Sequence, residues 1–268
     1  MRSVAHWIEN QKYHGRYTFT REEALKEFPE MASGTFARAL TREVSKGRIM
    51  SPLRGFYVIV PDEYVLRGTV PQSFYLDELM HHLGRNYYVS LLSAGTYHGA
   101  SHQVPLVFSV MIEPPAMRDK YDAKYHTAFF CKKDIPMPYV ERRQTRSGFL
   151  NVSSPELTSV DLITYQENSG GLTRAATVLA ELADKVDFEK LSPSFIEMAP
   201  TSSFQRLGYI LEEVLDFKEK ADTLYALLKK SGVSFQSIPL KPGKGIERYR
   251  KNMRWKIIEN ETIEIDDL

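Results

Sequence analysis

Two guanidinium groups and two hydroxyls at helical spacing, Thr35, Arg38, Arg42 and Ser45, are the side chains of this sequence best suited to chemistry with a nucleic acid. At about 100° per residue they fall on one arc of a helix, opposite an apolar stripe of Phe36, Leu40 and Val44. The outward arc holds no carboxylate, and Glu43 is expected off to one side. An arginine fork can bond O6 and N7 of guanine or clamp a phosphate, and Ser and Thr hydroxyls suit phosphates or base edges. Lys46 follows in the same helix, and Arg48 and Arg54 fall on a ribbon placed to touch the backbone or minor groove. Solvated helix faces also carry arginines, and helix-and-ribbon modules also dock proteins, so residue type alone leaves those readings open.

A possible second basic surface lies near the C-terminus. Lys241, Lys244, Arg248, Arg250, Lys251, Arg254 and Lys256 face only Glu247 in the same stretch, with Tyr249 and Trp255 interleaved. Its plain alternative is a solvated strand or turn. So few phosphate contacts from one small module would give modest affinity, so a dimer or a second basic surface is expected on DNA.

Catalytic patterns fail on residue type or spacing. His98 and His102 stand at i and i+4, but the stretch lacks the Glu of HExxH and Gly99 interrupts a helix. His81-His82 is weaker still. There is no phosphate-binding GxxxxGK[ST] loop, and Gly170-Gly171 has neither a third glycine nor a preceding strand. Ser90 and Ser93 lack a GxSxG context. Cys131, the single cysteine, is expected to be a partly buried thiol, and it can form neither an internal disulfide nor a cysteine-rich zinc site. Asp119 and Asp122 with Lys120 between them are the candidates for the carboxylates and nearby lysine of a metal nuclease, but they sit in an irregular, Tyr-rich segment. No catalytic residue, metal or cofactor is therefore expected. The competing reading is a DNA- or RNA-directed nuclease or hydrolase carrying an N-terminal targeting module.

The elements that must position the arginine-bearing arc can be read around it. Val4, Trp7 and Ile8 share one face of a first helix. Thr20-Arg21-Glu22-Glu23 fits a capping box that opens a second helix, stopped at Pro29. Ser33 is the expected N-cap of the third, with Gly47 as its C′ residue. A turn at Pro52-Leu53-Arg54-Gly55 and the strand Phe56–Val60 complete a ribbon. Three helices followed by a two-stranded ribbon predict a winged helix-turn-helix over residues 1–62. After a connecting segment, residues 75–268 predict a larger mixed α/β domain, giving an α+β chain. Helices are expected near 74–83, 88–97, 155–165, 172–185, 203–215 and 221–231, and strands at 107–112, 128–130 and 148–152. Ser154 is expected to cap the helix at Pro155, with Glu156 closing a capping box, and Asp161 on its buried seam needs a partner.

Composition bounds the rest. With 35 Lys+Arg against 34 Asp+Glu the formal net charge is +1, yet residues 1–60 alone carry net +4 and the remainder net −3. A basic N-terminal segment on a mildly acidic body fits a nucleic-acid-binding module joined to something else. At 43% hydrophobic and 26% charged residues the chain is of globular composition. No apolar run approaches the ~18 residues of a membrane span, and MRSVAHWIENQKYHG does not read as a signal peptide, so a cytoplasmic protein is expected.

Two long stretches, YYVSLLSAGTYHGASHQVPLVFSVMI (87–112) and VSSPELTSVDLITYQENSGGLTRAATVLAELADKVD (152–187), resemble the AbiEi antitoxins of bacterial type IV (abortive infection) toxin–antitoxin systems. The N-terminal helices and the closing RYRKNMRWKIIEN agree with that family in order and position. The resemblance implies a two-domain antitoxin and transcriptional autorepressor whose winged helix binds inverted repeats upstream of its operon. It also implies a functional partner, an AbiEii-like nucleotidyltransferase-like toxin, without a stable complex. Carried onto this chain, DNA recognition falls on Thr35, Arg38, Arg42 and Ser45, with Arg48 and Arg54 on the ribbon.

Overall fold

The computed structural model describes residues 3–100, 104–117 and 125–265. They divide between two compact units, one of Met1–Tyr88, Val110–Ile135 and Arg142–Asn151, the other of Val89–Ser109, Pro136–Glu141 and Val152–Leu268.

The first unit opens with α1 (Val4–Tyr13), started by Ser3, whose hydroxyl accepts from the His6 amide. A short strand, β1 (Thr18–Thr20), leads directly into α2 (Arg21–Lys26). The capping box forms as the sequence predicts: Thr20 Oγ1 accepts from the Glu23 amide at 3.1 Å, and Glu23 Oε2 accepts from the Thr20 amide at 2.7 Å. Helix α3 (Ser33–Ser45) follows, and Gly47, at φ +69°, supplies the left-handed residue that ends it. Strands β2 (Ile49–Leu53) and β3 (Phe56–Ile59) make an antiparallel hairpin, and β1 adds to the far side of β3 in the order β1-β3-β2. Val4, Trp7, Ile8, Phe19, Ala24, Phe28, Phe36, Leu40, Ile49 and Ile59 form one buried cluster, so each of these elements except β1's flanking threonines contributes an inward face. The Trp7 and Phe19 rings meet edge to face at 5.0 Å.

Beyond two 3₁₀ turns, α4 (Leu76–Leu83) ends at Gly84, φ +62°. The helix expected from Tyr88 is corrected. Tyr87–Val89 is a strand, β4, buried at all three positions, and only Leu91–Tyr97 is helical, as α5. Three consecutive buried apolar residues carry no period by which strand and helix could be told apart. Strands β5 (Phe108–Ile112), β6 (Thr127–Cys131), β7 (Val140–Gln144) and β8 (Phe149–Ser153) join β4 in a sheet of order β6-β5-β4-β8-β7. The β4 and β8 strands run parallel, with Val89 opposite Val152.

In the second unit, α6 (Pro155–Thr164) is started by Ser154, whose hydroxyl accepts from the Leu157 amide at 3.3 Å. Glu156 does not close a capping box; its carboxylate accepts from the Asp187 amide at 2.8 Å. It stands one residue short of the N3 position from which the reach back to the cap is made. Helix α6 is buried nearly all round, Asp161 included, and packs against α5, α7 (Gly171–Leu182) and α8 (Thr201–Tyr209). Helix α8 runs on as a π-helical turn over Ile210–Val214 before α9 (Lys218–Lys230). Three two-residue strands, β9 (Ile238–Pro239), β10 (Lys251–Asn252) and β11 (Ile257–Ile258), close the unit. Among the described residues no helix is long and apolar enough to cross a membrane.

Candidate nucleic-acid interface

Helix α3 turns Phe36 and Leu40 into the core, at 0% and 1% exposure, and leaves Thr35, Arg38, Arg42 and Ser45 exposed. It starts one residue earlier than expected: Ala32 holds the N-cap position, and Ser33, the first helical residue, accepts from Arg21 Nη2 at 2.9 Å instead of capping. Among the described residues no carboxylate lies within ion-pair distance of Arg38, Arg42 or Arg54, so these guanidiniums face solvent with their charge uncompensated. The hydroxyls are more constrained. Ser45 Oγ donates to the Thr41 carbonyl and Thr41 Oγ1 to that of Ala37, both at 3.0 Å, so each turns lone pairs rather than a proton to a ligand.

Glu43 lies off the arc, as the spacing predicts, and is buried, at 4% exposure. Its two carboxylate oxygens accept from Lys46 Nζ at 3.2 Å and Arg48 Nη1 at 3.3 Å. The chain reversal at Gly47 brings this about, because the Arg48 amide returns to the Glu43 carbonyl and carries the Arg48 side chain back alongside. Lys46 and Arg48 therefore sit beside the arc with about half of each side chain exposed and one shared negative charge against them. Three groups that the spacing argument did not single out border the same helix: Arg21 at the start of α2, Thr41 on α3, and His82 on α4, whose ring lies 5.5 Å from that of Phe56. Arg21 could have been picked from the capping box, since the first residue of a helix packed beside α3 must lie near its start. His82 had no local signal.

The C-terminal cations are arranged differently. Lys241 and Lys244 both reach Glu261, at 3.4 and 2.7 Å, and the hydrogen bond from Lys244 holds that carboxyl below its usual range. Arg254 bridges Glu212 and Asp222, and Arg250 lies 4.0 Å from Glu259. Arg248 and Lys251 are exposed. Trp255 is fully buried: its indole N–H donates to Glu212, its amide to Asn252 Oδ1 at 2.9 Å, and its carbonyl accepts from Gln205 Nε2 at 2.7 Å. Gly208 of α8 lies directly beneath its ring. Asn260 binds the carbonyls of Lys241, Lys244 and Gly245, and the Arg206 guanidinium those of Pro239 and Leu240. The stretch is thus fastened to α8 through Gln205, Arg206 and Trp255, and most of its cations are paired within the same unit.

The remaining sequence candidates do not assemble into a reactive site among the described residues. His98 is buried at the end of α5 with Nε2 2.7 Å from the Ser153 carbonyl, while His102, Asp119, Lys120 and Asp122 lie outside the described residues. Cys131 is exposed rather than partly buried, as the last residue of β6. Ser93 accepts from the Ser109 amide, and Ser90 is fully buried. Among the described residues no group of three His, Cys, Asp or Glu is placed to hold a metal ion.

Residues 88–213 match the AbiEi antitoxin C-terminal domain family. The fold is similar to that in the crystal structure of the RV2827C protein from Mycobacterium tuberculosis, with a TM-score of 0.70 over 95% of this chain and 90% of that one, at 15% identity. No curated protein matches the chain in sequence. The matched segment covers nearly all of both stretches on which the resemblance rested, from within β4 into the π-helical turn after α8, and over that segment the chain is similar to the AbiEi antitoxins.

Proposed function

We propose that this chain is a DNA-binding autorepressor as well as an antitoxin of a type IV toxin–antitoxin operon. Residues 1–62 act as a winged helix-turn-helix: α1, α2 and α3 are the helices, β2 and β3 the wing, and α3 the element that enters the major groove. Arg38 and Arg42 read base edges or clamp phosphates there, Thr35 and Ser45 flank them, and Arg54 meets the backbone from the hairpin turn. Lys46 and Arg48 contribute at the edge, with part of their charge held by Glu43. Residues 75–268 carry the antitoxin function against an AbiEii-like toxin, without a stable complex. The observation that carries the DNA reading is the outward arc of α3, which is exposed, rich in arginine and without a carboxylate beside it.

Six or so phosphate contacts from one module give salt-sensitive, moderate affinity, so inverted repeats and two copies of the chain are the expected arrangement on DNA. Arg248, Lys251 and Lys256 remain as the C-terminal cations able to add a contact; Lys241, Lys244, Arg250 and Arg254 are engaged within their own unit. The test is a gel shift with the DNA upstream of the chain's own gene. Wild-type protein is expected to shift it, and Arg38→Ala/Arg42→Ala is expected to abolish the shift with an unchanged thermal melt. Retained binding by the folded double variant rejects α3 as the reading helix.

A further inference from the structure

A groove of about 620 Å³ runs along the flank of α3 beside its outward arc. One wall is α3 itself, through Ser33, Ala37 and Thr41; the other is the hairpin, through Arg54, Gly55 and Tyr57. Arg21 stands at one border and His82, from α4, at another. We infer that this groove seats one sugar–phosphate strand of the duplex while the arc of α3 faces the bases, so that the DNA interface extends past residue 62 to His82. The inference rests on the DNA-binding reading and adds to it a backbone-binding cleft with residues from three further places in the chain.

Charge and donor chemistry favour that occupant. The groove holds two guanidiniums and an imidazole against one carboxylate, Glu22. Neither Arg21 nor Arg54 has a carboxylate within ion-pair distance among the described residues. Arg21 spends one N–H on Ser33 Oγ, which fixes the guanidinium along the wall and leaves its other donors for a phosphate oxygen. The Ser33 hydroxyl accepts that bond and keeps its own proton to donate. The His82 ring lies against Phe56, a residue only 2% exposed beside the hairpin turn, so this ring contact places it next to Arg54 and Gly55. Phosphate contacts of this kind fix register and carry no sequence information, which separates them in experiment from contacts made by Arg38 and Arg42.

The test uses the full chain and fluorescence anisotropy with two duplexes of equal length, the upstream DNA and a scrambled sequence, between 50 and 200 mM salt. The variants are Arg21→Gln, His82→Glu and, for comparison, Arg38→Ala/Arg42→Ala. Loss of a phosphate contact is expected to flatten the log–log salt slope by about 0.9, so that affinity falls about 3.5-fold less over this fourfold salt range. Arg21→Gln is expected to show this flattening and to weaken both duplexes by a similar factor. His82→Glu, acting from a different helix, is expected to weaken both about tenfold at low salt by placing a carboxylate in the cleft. If wild-type protein prefers the upstream DNA but both groove variants keep its affinities and slope, the groove assignment is overturned and the α3 reading stands. If the variants instead erase the preference for the upstream DNA, these residues touch bases and the backbone assignment is overturned. If wild-type protein binds neither duplex, the DNA reading itself falls, and the groove's role with it.

Discussion

Replacing Gly208 by alanine tests whether the C-terminal basic stretch is a structural clasp. An alanine Cβ at that position would lie 2.1 Å from Trp255 Cη2, 2.2 Å from Cζ3 and 2.4 Å from Cζ2. Carbon atoms pack at about 3.5–4.0 Å, so the overlap exceeds 1 Å on three atoms at once. The indole has little room to retreat. It is fully buried, tied at its N–H to Glu212, stacked on Phe235 at 6.0 Å and met edge-on by Tyr225 at 5.3 Å. Overpacking typically costs 1–3 kcal/mol, and with backbone on one side and a locked ring on the other we expect about 3 kcal/mol. At roughly 2–4 °C per kcal/mol for a body of this size, the melt should fall by roughly 6–12 °C. All three clashing atoms belong to the six-membered ring edge that phenylalanine does not place there, so the cost of Gly208→Ala should shrink by more than about 1 kcal/mol in a Trp255→Phe background. The assay is thermal unfolding followed by far-ultraviolet circular dichroism, which reports in both backgrounds. The chain has two tryptophans, Trp7 and Trp255, one in each unit, so in the Trp255-containing background fluorescence of a Trp7→Phe parent follows the second unit by itself. A Gly208→Ala melt within about 1 °C of the parent, or an equal cost in both backgrounds, would refute the clasp.

Two further outcomes follow from the same structure. Glu43→Gln removes the buried carboxylate that holds Lys46 and Arg48; non-specific DNA affinity, measured by anisotropy at low salt, should rise several-fold while stability falls by about 1 kcal/mol. Tyr209 is pushed up to about 12 from an ordinary value of 10.0, by burial first and then by Glu259 and Glu213. Its raised value favours the neutral phenol in the folded chain, so this contribution is intact below pH 10 and is lost as pH climbs towards 12, where the unfolded chain ionises first. Urea midpoints measured across that window should decline less steeply in Tyr209→Phe.

Legibility in the sequence tracked how local each cause was. The capping box at Thr20-Glu23, the Ser154 cap and the left-handed Gly47 are set by residues within a turn of one another, and all three were readable. The core face of α3 was readable from its period, since Phe36 and Leu40 recur with the helix. The pairing of Glu43 was not readable, because Arg48 reaches it only once the chain reverses at Gly47. Strand β7, Val140-Glu141-Arg142-Arg143-Gln144, was missed because it lies at a sheet edge and its polar composition is what such an edge tolerates. The C-terminal cations looked like a ligand surface because their acids, Glu212, Asp222 and Glu261, are either distant in sequence or beyond the basic run. His82 was invisible as a groove residue for the same reason: only its tertiary ring contact with Phe56 places it by the hairpin.

The central claim is that the exposed arc of α3 reads DNA sequence, and a base-by-base binding profile addresses it most directly. Each base pair of the upstream DNA is substituted in turn, and the affinity of wild-type protein, Arg38→Ala and Arg42→Ala is measured for every duplex. Wild-type protein should lose about 1–3 kcal/mol at a few positions, and at least one arginine variant should become indifferent to the identity of a particular base pair while still discriminating at the others. Profiles of both variants that coincide with the wild type in affinity and in discrimination at every position would contradict the claim.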